Sequence, residues 1–277
     1  MFLEVSRNSH SIAAIFRENI GAFSKSKIIG LDQSFLKEVA GQVLSLPWFL
    51  GSECDGGFAE YVVVSSTHAY KVESDFSSSE LASFPCSYST AENLLTKSQV
   101  SKDDTVLVTG ASGGVGSAAI QLIKARGAKS IAQTSPAKIA SLLNIGADQV
   151  VCRDDNLVDT LKENSVDVVI DLVGGEKWPA LLDVLKPGGR YAVSGAIGGP
   201  MVSLDLRTLY LKDLTFYGCT VLDERVFSNL IRYIEAKKIK PLVAKVFPLE
   251  HIVEAQKAFL LKQHTGKIVL SISEETI

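Results

Sequence analysis

From residue 105 onward the chain alternates short apolar runs with stretches in which apolar residues recur every three or four positions. Runs rich in β-branched residues, short enough for buried strands, cover 105–109, 130–134, 149–152, a run ending near Asp171, 190–194 and 214–220. Between them the spacing predicts helices from Gly114, from Pro136, at 157–161, at 178–185 and at 224–236. The first should bury Val115, Ala119, Leu122 and Ile123, and the last Val226, Leu230 and Ile234. Gly146 suits a helix end, and Pro187-Gly188-Gly189 a turn into the fifth strand. Strands alternating with helices imply a parallel sheet covered by helices, and right-handed crossovers make a doubly wound α/β sheet the economical solution.

The pattern before residue 105 is different. Residues 1–40 form a poorly defined lead-in, with Ile12, Ala13, Ile15 and Phe16 spaced for a short amphipathic helix. From Gly41 short strands broken by Gly and Pro are expected, the best at 58–64 after Gly56-Gly57. Ser77 and Glu80 have capping-box spacing, and a second helix should run from near Ser89 through Leu95. After Lys240-Pro241 a strand (242–247), a helix (252–261) and a last strand (267–272) should pack on the 41–100 segment, not on the central sheet.

The central stretch is TVLVTGASGGVGSAAIQLIKAR, an apolar run, a turn holding Gly110, Gly113, Gly114 and Gly116, and an amphipathic helix. Backbone N–H groups at such a helix start can face an anion, helped by the helix dipole. Against the dinucleotide fingerprint G-x-G-x-x-G, the aligned positions are Ala111, Gly113 and Gly116, so the string reads A-x-G-x-x-G. A tight structural turn is the alternative, since turns use Gly for conformational reasons alone. The string lacks the Gly-Lys-Ser/Thr ending of a P-loop. Ligands of such sheets sit at the carboxyl ends of the strands, here Gly110, Thr134, Val173-Gly174, Gly195-Ala196 and Thr220-Val221.

No Asp or Glu lies between Asp104 and Asp148, so the carboxylate that would hold two ribose hydroxyls is missing. Thr134, Ser135 and Lys138 instead suit a 2′-phosphate, which favours NADP(H) over NAD(H). The plainer reading, compatible with the first, is that Ser135 caps the next helix and Lys138 is solvated.

Composition narrows the class. With 46% hydrophobic and 21% charged residues in 277, the chain reads as soluble and globular, one large or two modest domains. A net charge of −3 gives no electrostatic case for nucleic acid or an anionic membrane. Cys54, Cys86, Cys152 and Cys219 form no C-x-x-C pair, which suggests neither a disulfide scaffold nor a zinc knuckle. No apolar run is long enough to span a bilayer, and no secretory pattern opens the chain. Glu4 and Glu18 argue against a transit peptide, so the cytoplasm is expected.

The strings DGGFAEYVVV, ELASFPCSYSTAENLL, VLVTGASGGVG, DLVGG, LKPGGRYAVSGAIGG, YGCTVL and GKIVL occur in one order over about residues 41–272. With them the chain resembles the medium-chain dehydrogenase/reductase superfamily, in its quinone oxidoreductase and zinc-binding alcohol dehydrogenase-like branch. The resemblance implies a doubly wound parallel Rossmann sheet (99–241) with a partial GroES-like β-rich catalytic domain (41–98), to which 242–277 returns. It implies a homodimer, the sixth strand often pairing across the twofold, and hydride transfer between NADPH and a small carbonyl, enone or quinone. By the same resemblance Ala111, Ser112, Gly113, Gly114 and Val115 would line the pyrophosphate. Val193, Ser194, Gly195, Ala196, Cys219, Thr220 and Val221 would line the nicotinamide side, with Val173 beside it.

Departures from the family pattern matter equally. The G-H-E motif that carries a zinc-ligating His in zinc-dependent members does not occur, and neither does the Cys-rich structural-zinc loop. Cys86 falls where zinc-dependent members place their last protein ligand, but one Cys cannot make a three-ligand site, so zinc is not expected. The chain looks N-terminally truncated, or begun with unrelated sequence. A nucleotide-binding fragment without turnover and a zinc-dependent alcohol dehydrogenase are the alternative readings. Tyr88 is a candidate proton donor by its place at a helix start; packing with a satisfied hydroxyl is the alternative. No Ser-His-Asp set or carboxylate pair presents itself.

Overall fold

Apolar strands without polar alternation need cover on both faces, and this chain supplies it with helices. The computed structural model describes residues 4–6, 14–16, 58, 69–223 and 225–271. Strands β1 (Glu4–Ser6), β2 (Ala14–Phe16) and β3 (Ala69–Lys71) come first, then helices α1 (Ser78–Ala82) and α2 (Pro85–Lys97). The alternation follows as β4 (Thr105–Val108), α3 (Gly114–Ala125), β5 (Lys129–Thr134), α4 (Ile139–Asn144) and β6 (Gln149–Cys152). It continues as α5 (Leu157–Leu161), β7 (Val166–Asp171), α6 (Trp178–Asp183), β8 (Leu185–Val193), α7 (Leu206–Leu211) and β9 (Thr215–Gly218). Helix α8 (Arg225–Glu235), β10 (Val243–Pro248), α9 (Ile252–Leu260) and β11 (Lys267–Ser271) close the described chain.

Two compact units result. Thr90–Val226 is one; Met1–Ser89, as far as it is described, and Phe227–Ile277 make the other. The division falls within α2 and α8.

Thr90–Val226 carries a six-stranded sheet in the order β6-β5-β4-β7-β8-β9, parallel throughout. Chain order therefore runs outward from β4 on one side and from β7 on the other. The reversal lies between these two strands, whose carboxyl ends carry Gly110 and Leu172-Val173. Val106, Leu107 and Val108 of β4 and Val168, Val169 and Ile170 of β7 are fully buried. Each such side chain contributes about 1.5–3 kcal/mol by leaving water. Leu107 and Val169 belong to a core with Ile131, Val151, Trp178, Leu181 and Tyr191.

In the other unit, β11 pairs in parallel with β1 and β10, and β2 pairs antiparallel with β3. Ala82 of α1 and Val269 of β11 are fully buried together with Val243 against them.

Several elements differ from the sequence expectation, each for a tertiary reason. The apolar group around Ile12 is not a helix where it is described: Ala14–Phe16 is a strand, because Ala69–Lys71 supplies its partner. Phe58 is a bend, and the rest of the strand expected at 58–64 lies outside the described residues, as does 41–57. Helix α2 begins at Pro85, before Ser89, since Pro is tolerated in a first turn. Helix α6 ends at Asp183, and Leu185 already pairs with Val166 in the sheet. Lys186–Gly189 then form an irregularity within β8, where a strand can hold a Pro. Gly188 takes φ +74° there and its N–H donates to Lys212 O at 2.7 Å. Helix α7 was unforeseen; Asp205 caps it by accepting from Arg207 N. Helix α3 is buried from Gly116 to Ile123, while Val115 is only half-buried, so its sequence amphipathicity understates its cover. The Ser77–Glu80 capping box is present in full.

Candidate functional site

The site in Thr90–Val226 is built from the loops that leave the strands. At the end of β4, Gly110 takes φ +57°, a left-handed turn that suits Gly. Its carbonyl accepts from Gly113 N at 3.0 Å, and Ala111 N donates to Gln133 O at 3.1 Å. Gly113 is the N-cap of α3 and offers no side-chain cap bond. The first N–H groups of the helix are therefore free of intrahelical partners, as helix starts are, and present a positive end. A Cβ on Gly116 would lie 2.5 Å from Gly110 O and 2.6 Å from Ala111 Cα, so only Gly lets helix and turn meet this closely. Ser112, Gly114 and Val115 are partly exposed around it, and Ala111 is buried.

At the end of β5, Thr134 is 3% exposed and its Oγ1 has no hydrogen-bond partner in the protein. Ser135 precedes a 3-10 turn, Pro136–Lys138, and makes no side-chain cap bond. The capping alternative for Ser135 therefore fails: the turn is 3-10, and the α-helix starts only at Ile139. Lys138 is half-buried in that turn.

At the end of β7 stands Asp171, fully buried. Its Oδ1 accepts from Thr109 Oγ1 at 2.6 Å, Val173 N at 2.9 Å and Gly174 N at 3.2 Å. Its Oδ2 accepts from the Tyr191 hydroxyl at 2.6 Å. Burial, then the hydrogen bond to Asp171, push the Tyr191 phenol far above its ordinary range. The Tyr191 ring lies against Trp178 and Phe216, at 5.7 and 5.2 Å between centroids. The sequence marks Asp171 as a strand end and as the first residue of the DLVGG string, a carboxylate closing an apolar run ahead of two glycines, without assigning it a role.

Loops after β8 and β9 open a cleft of about 490 Å³, lined by Lys97, Val193–Ala196 and Gly218–Val221. It gathers Val193, Ser194, Gly195, Ala196, Cys219, Thr220 and Val221, each singled out from the sequence. Asn93 holds the loop beyond: its Nδ2 donates to Val221 O at 3.2 Å and its Oδ1 accepts from Asp223 N at 3.4 Å. Cys219 is 3% exposed; burial raises its thiol pKa, and the charge of Lys97 pulls it back. Asn93 lies in the ELASFPCSYSTAENLL string but was not singled out there, and Lys97 carried no sequence signal.

Tyr88 and Cys86 belong to the other unit. Tyr88 is 1% exposed, donates its hydroxyl to Lys240 O at 2.6 Å and packs on Phe84 at 4.7 Å between ring centroids. That is the packing alternative, so Tyr88 is not retained as a proton donor. Cys86 is 6% exposed. Among the described residues no three His, Cys, Asp or Glu side chains come together as a metal site.

The strand order and the Gly-rich turn at its reversal define a Rossmann-type α/β protein. Residues 114–236 match the zinc-binding dehydrogenase family. The chain is 33% identical to the acryloyl-coenzyme A reductase of Metallosphaera sedula over 79% of its own length, spanning 66% of that protein. It is 30% identical to the quinone oxidoreductase of Homo sapiens, over 80% of this chain and 71% of that protein. A Sinorhizobium meliloti 1021 structure that carries an alcohol dehydrogenase assignment superposes with TM-score 0.77 at 46% identity, over 80% of this chain and 63% of that one. The 2-octenoyl-CoA carboxylase reductase CinF, solved with NADP and 2-octenoyl-CoA, superposes with TM-score 0.74 at 27% identity, over 81% and 57%. The chain belongs to the medium-chain dehydrogenase/reductase family of oxidoreductases. It spans just under two thirds of the Metallosphaera relative.

Proposed function

We propose that the chain is an NADP(H)-dependent reductase of the quinone oxidoreductase type, acting between NADPH and a small carbonyl, enone or quinone. The observation that carries this is the uncapped start of α3 at the sheet's reversal point, where Gly116 leaves no room for a Cβ and backbone N–H groups face outward. The residues present fit a dinucleotide. Gly110, Ala111, Ser112, Gly113, Gly114, Val115 and Gly116 would hold the pyrophosphate. Thr134, whose buried hydroxyl lacks a protein partner, would hold the 2′-phosphate end with Ser135 and Lys138. NADPH when bound supplies the hydride. Val173, Val193, Ser194, Gly195, Ala196, Cys219, Thr220 and Val221 would orient the nicotinamide and keep water from it.

We read the described part of Met1–Ser89 with Phe227–Ile277 as the partial GroES-like catalytic domain. The described residues around Cys86 do not fit a catalytic zinc, and no step is routed through one. A homodimer would pair β9, an exposed edge of the sheet, with its copy. Exposed Ile197, Met201, Leu206, Tyr210 and Leu211 lie in the same unit and give such a partner apolar surface to cover. Among the described residues no helix is long and apolar enough to cross a membrane, and we place the reaction in the reducing cytoplasm.

Tryptophan-quenching titrations with NADPH and NADH, followed by NADPH oxidation against a quinone and enone panel, test the reading. NADPH should bind at least about tenfold tighter than NADH, and at least one acceptor should turn over. Tighter NADH binding overturns the 2′-phosphate assignment. Binding without turnover across the panel overturns the reductase.

A further inference from the structure

We infer that Asp171 is a positioning residue, setting the loops that hold the nicotinamide end of the cofactor; this rests on the NADP(H) reading above. A carboxylate at 0% exposure is costly to bury unless its oxygens are satisfied. Here three of its donors, Thr109, Val173 and Gly174, come from the strand end and loop of the candidate site, and the fourth, Tyr191, comes from within β8. Thr109 immediately precedes Gly110 of the pyrophosphate turn, and its Oγ1 donates to Asp171 while accepting from Leu172 N at 2.9 Å. Val173 and Gly174 give their backbone N–H groups to the same carboxylate. Tyr191 clamps it from β8.

The loop so anchored carries the next one. Gly198 N donates to Val173 O at 2.7 Å, and Gly175 N donates to Gly199 O at 3.1 Å. Gly174 and Gly199 form a parallel bridge. Ser194 N donates to Asp171 O at 3.2 Å. A Cβ on Gly195 would lie 2.8 Å from Leu172 O, and one on Gly110 would lie 3.2 Å from Val173 Cγ2. One buried side chain thus ties the residue before the pyrophosphate turn to the loop that presents Val173, and backbone bonds carry that loop to Ser194–Ala196. A carboxylate with no such task would be replaced at lower cost by an apolar residue on a strand whose neighbours Val168–Ile170 are all fully buried. Asp171 touches the loops and not the reacting atoms, so its part is placement.

The test compares two ligands of the full chain, NADPH and 2′,5′-ADP, which has the phosphate end and lacks the nicotinamide. Binding is measured for wild type, Asp171→Ala, Asp171→Asn and Thr109→Val, with hydrogen exchange of the 172–175 and 194–199 amides as a second readout. Wild type should bind NADPH more tightly than 2′,5′-ADP. Asp171→Ala should weaken NADPH about tenfold or more while changing 2′,5′-ADP by no more than about twofold. Exchange should rise in both loops. Thr109→Val should do the same to a smaller extent. Asp171→Asn, which can still accept from Thr109 and Val173, should recover most of the NADPH margin. Equal weakening of both ligands, or no change in either, overturns the inference and leaves the cofactor reading standing. Wild type that binds neither ligand overturns the cofactor reading, and the inference with it. Wild type that binds both equally overturns the inference alone.

Discussion

Two strand ends meet at the reversal of the sheet, and they are built by opposite means. The turn after β4 is made almost entirely of backbone: a left-handed Gly110, an N-cap Gly113 with no side-chain bond, and Gly116 in contact with Gly110 and Ala111. The loop after β7 hangs on one side chain, Asp171, with hydrogen bonds from Thr109, Val173, Gly174 and Tyr191. The first achieves closeness by leaving side chains out, the second achieves fixed geometry by burying one. An anion held by N–H groups needs approach, whereas a planar ring needs a platform at a set height. On the NADP(H) reading, the two tasks fall to neighbouring strands.

The largest expected effect comes from filling the first region. Gly116→Ala would gain about 1 kcal/mol of helix propensity. The overlap with Gly110 O and Ala111 Cα is with backbone, which cannot rotate away, and overpacking costs about 1–3 kcal/mol or more. A net loss of stability in urea unfolding, together with loss of NADPH binding, is expected; a stabilised variant that still binds would break the backbone account of the turn. Next comes Tyr191→Phe, which removes one donor from the buried carboxylate and should cost about 1–3 kcal/mol. If denaturant midpoints of wild type and variant coincide, Asp171 is not the anchor described.

Gly113→Ala sharpens the same contrast at lower cost. Its Cβ would sit 3.3 Å from Gly110 O and its φ is −72°, so the fold should tolerate it within about 1 kcal/mol. NADPH binding should still weaken about tenfold, because on the proposed reading the pyrophosphate approaches Gly113. Equal thermal stability with unchanged NADPH affinity would show that the anion does not come so near. Thr134→Val should leave stability unchanged or raise it by about 1 kcal/mol, since a buried hydroxyl without a protein partner is removed. Its NADPH affinity should fall severalfold while its NADH affinity holds, and a parallel fall in both would break the 2′-phosphate role.

The smallest effect belongs to the cleft after β9. Lys97 lowers the Cys219 thiol pKa that burial raises, so Lys97→Ala should move it further up. The thiolate is the reactive form, and at a fixed pH below the pKa its fraction falls as the pKa rises. Alkylation of Cys219 near pH 8 should therefore slow, read by peptide mass spectrometry. Faster alkylation in the variant would mean that Lys97 acts by covering the thiol and not by its charge.

Legibility in the sequence followed the kind of interaction. The strands at 149–152 and near Asp171 and the helix at 157–161 were readable because periodicity is local. The Ser77 capping box was readable because its partners lie three residues apart. Tyr88 was readable only as two alternatives, and Phe84 together with Lys240, which lies far along the chain, decides for packing. The helix end near Leu185 was misjudged because Val166 claims that residue for the sheet, overriding helical spacing. Cys86 was weighed as a metal ligand only by its place in a motif, and among the described residues no three His, Cys, Asp or Glu side chains come together as a metal site.

By itself, the sequence determined the alternation of strands and helices, the Gly-rich turn and the acid-free stretch after it. These depend on residues close in the chain, where spacing, backbone freedom and charge act without the rest of the fold. Only the tertiary structure decided that Gly116 has no room for a Cβ, that Thr134 is buried with its hydroxyl unpartnered, and that Asp171 links its own strand to Thr109 after β4 and to Tyr191 in β8. The last of these requires residues 62 and 20 positions apart to meet. Burial turns them into strong constraints, because a polar atom removed from water must find its partner wherever the fold brings one.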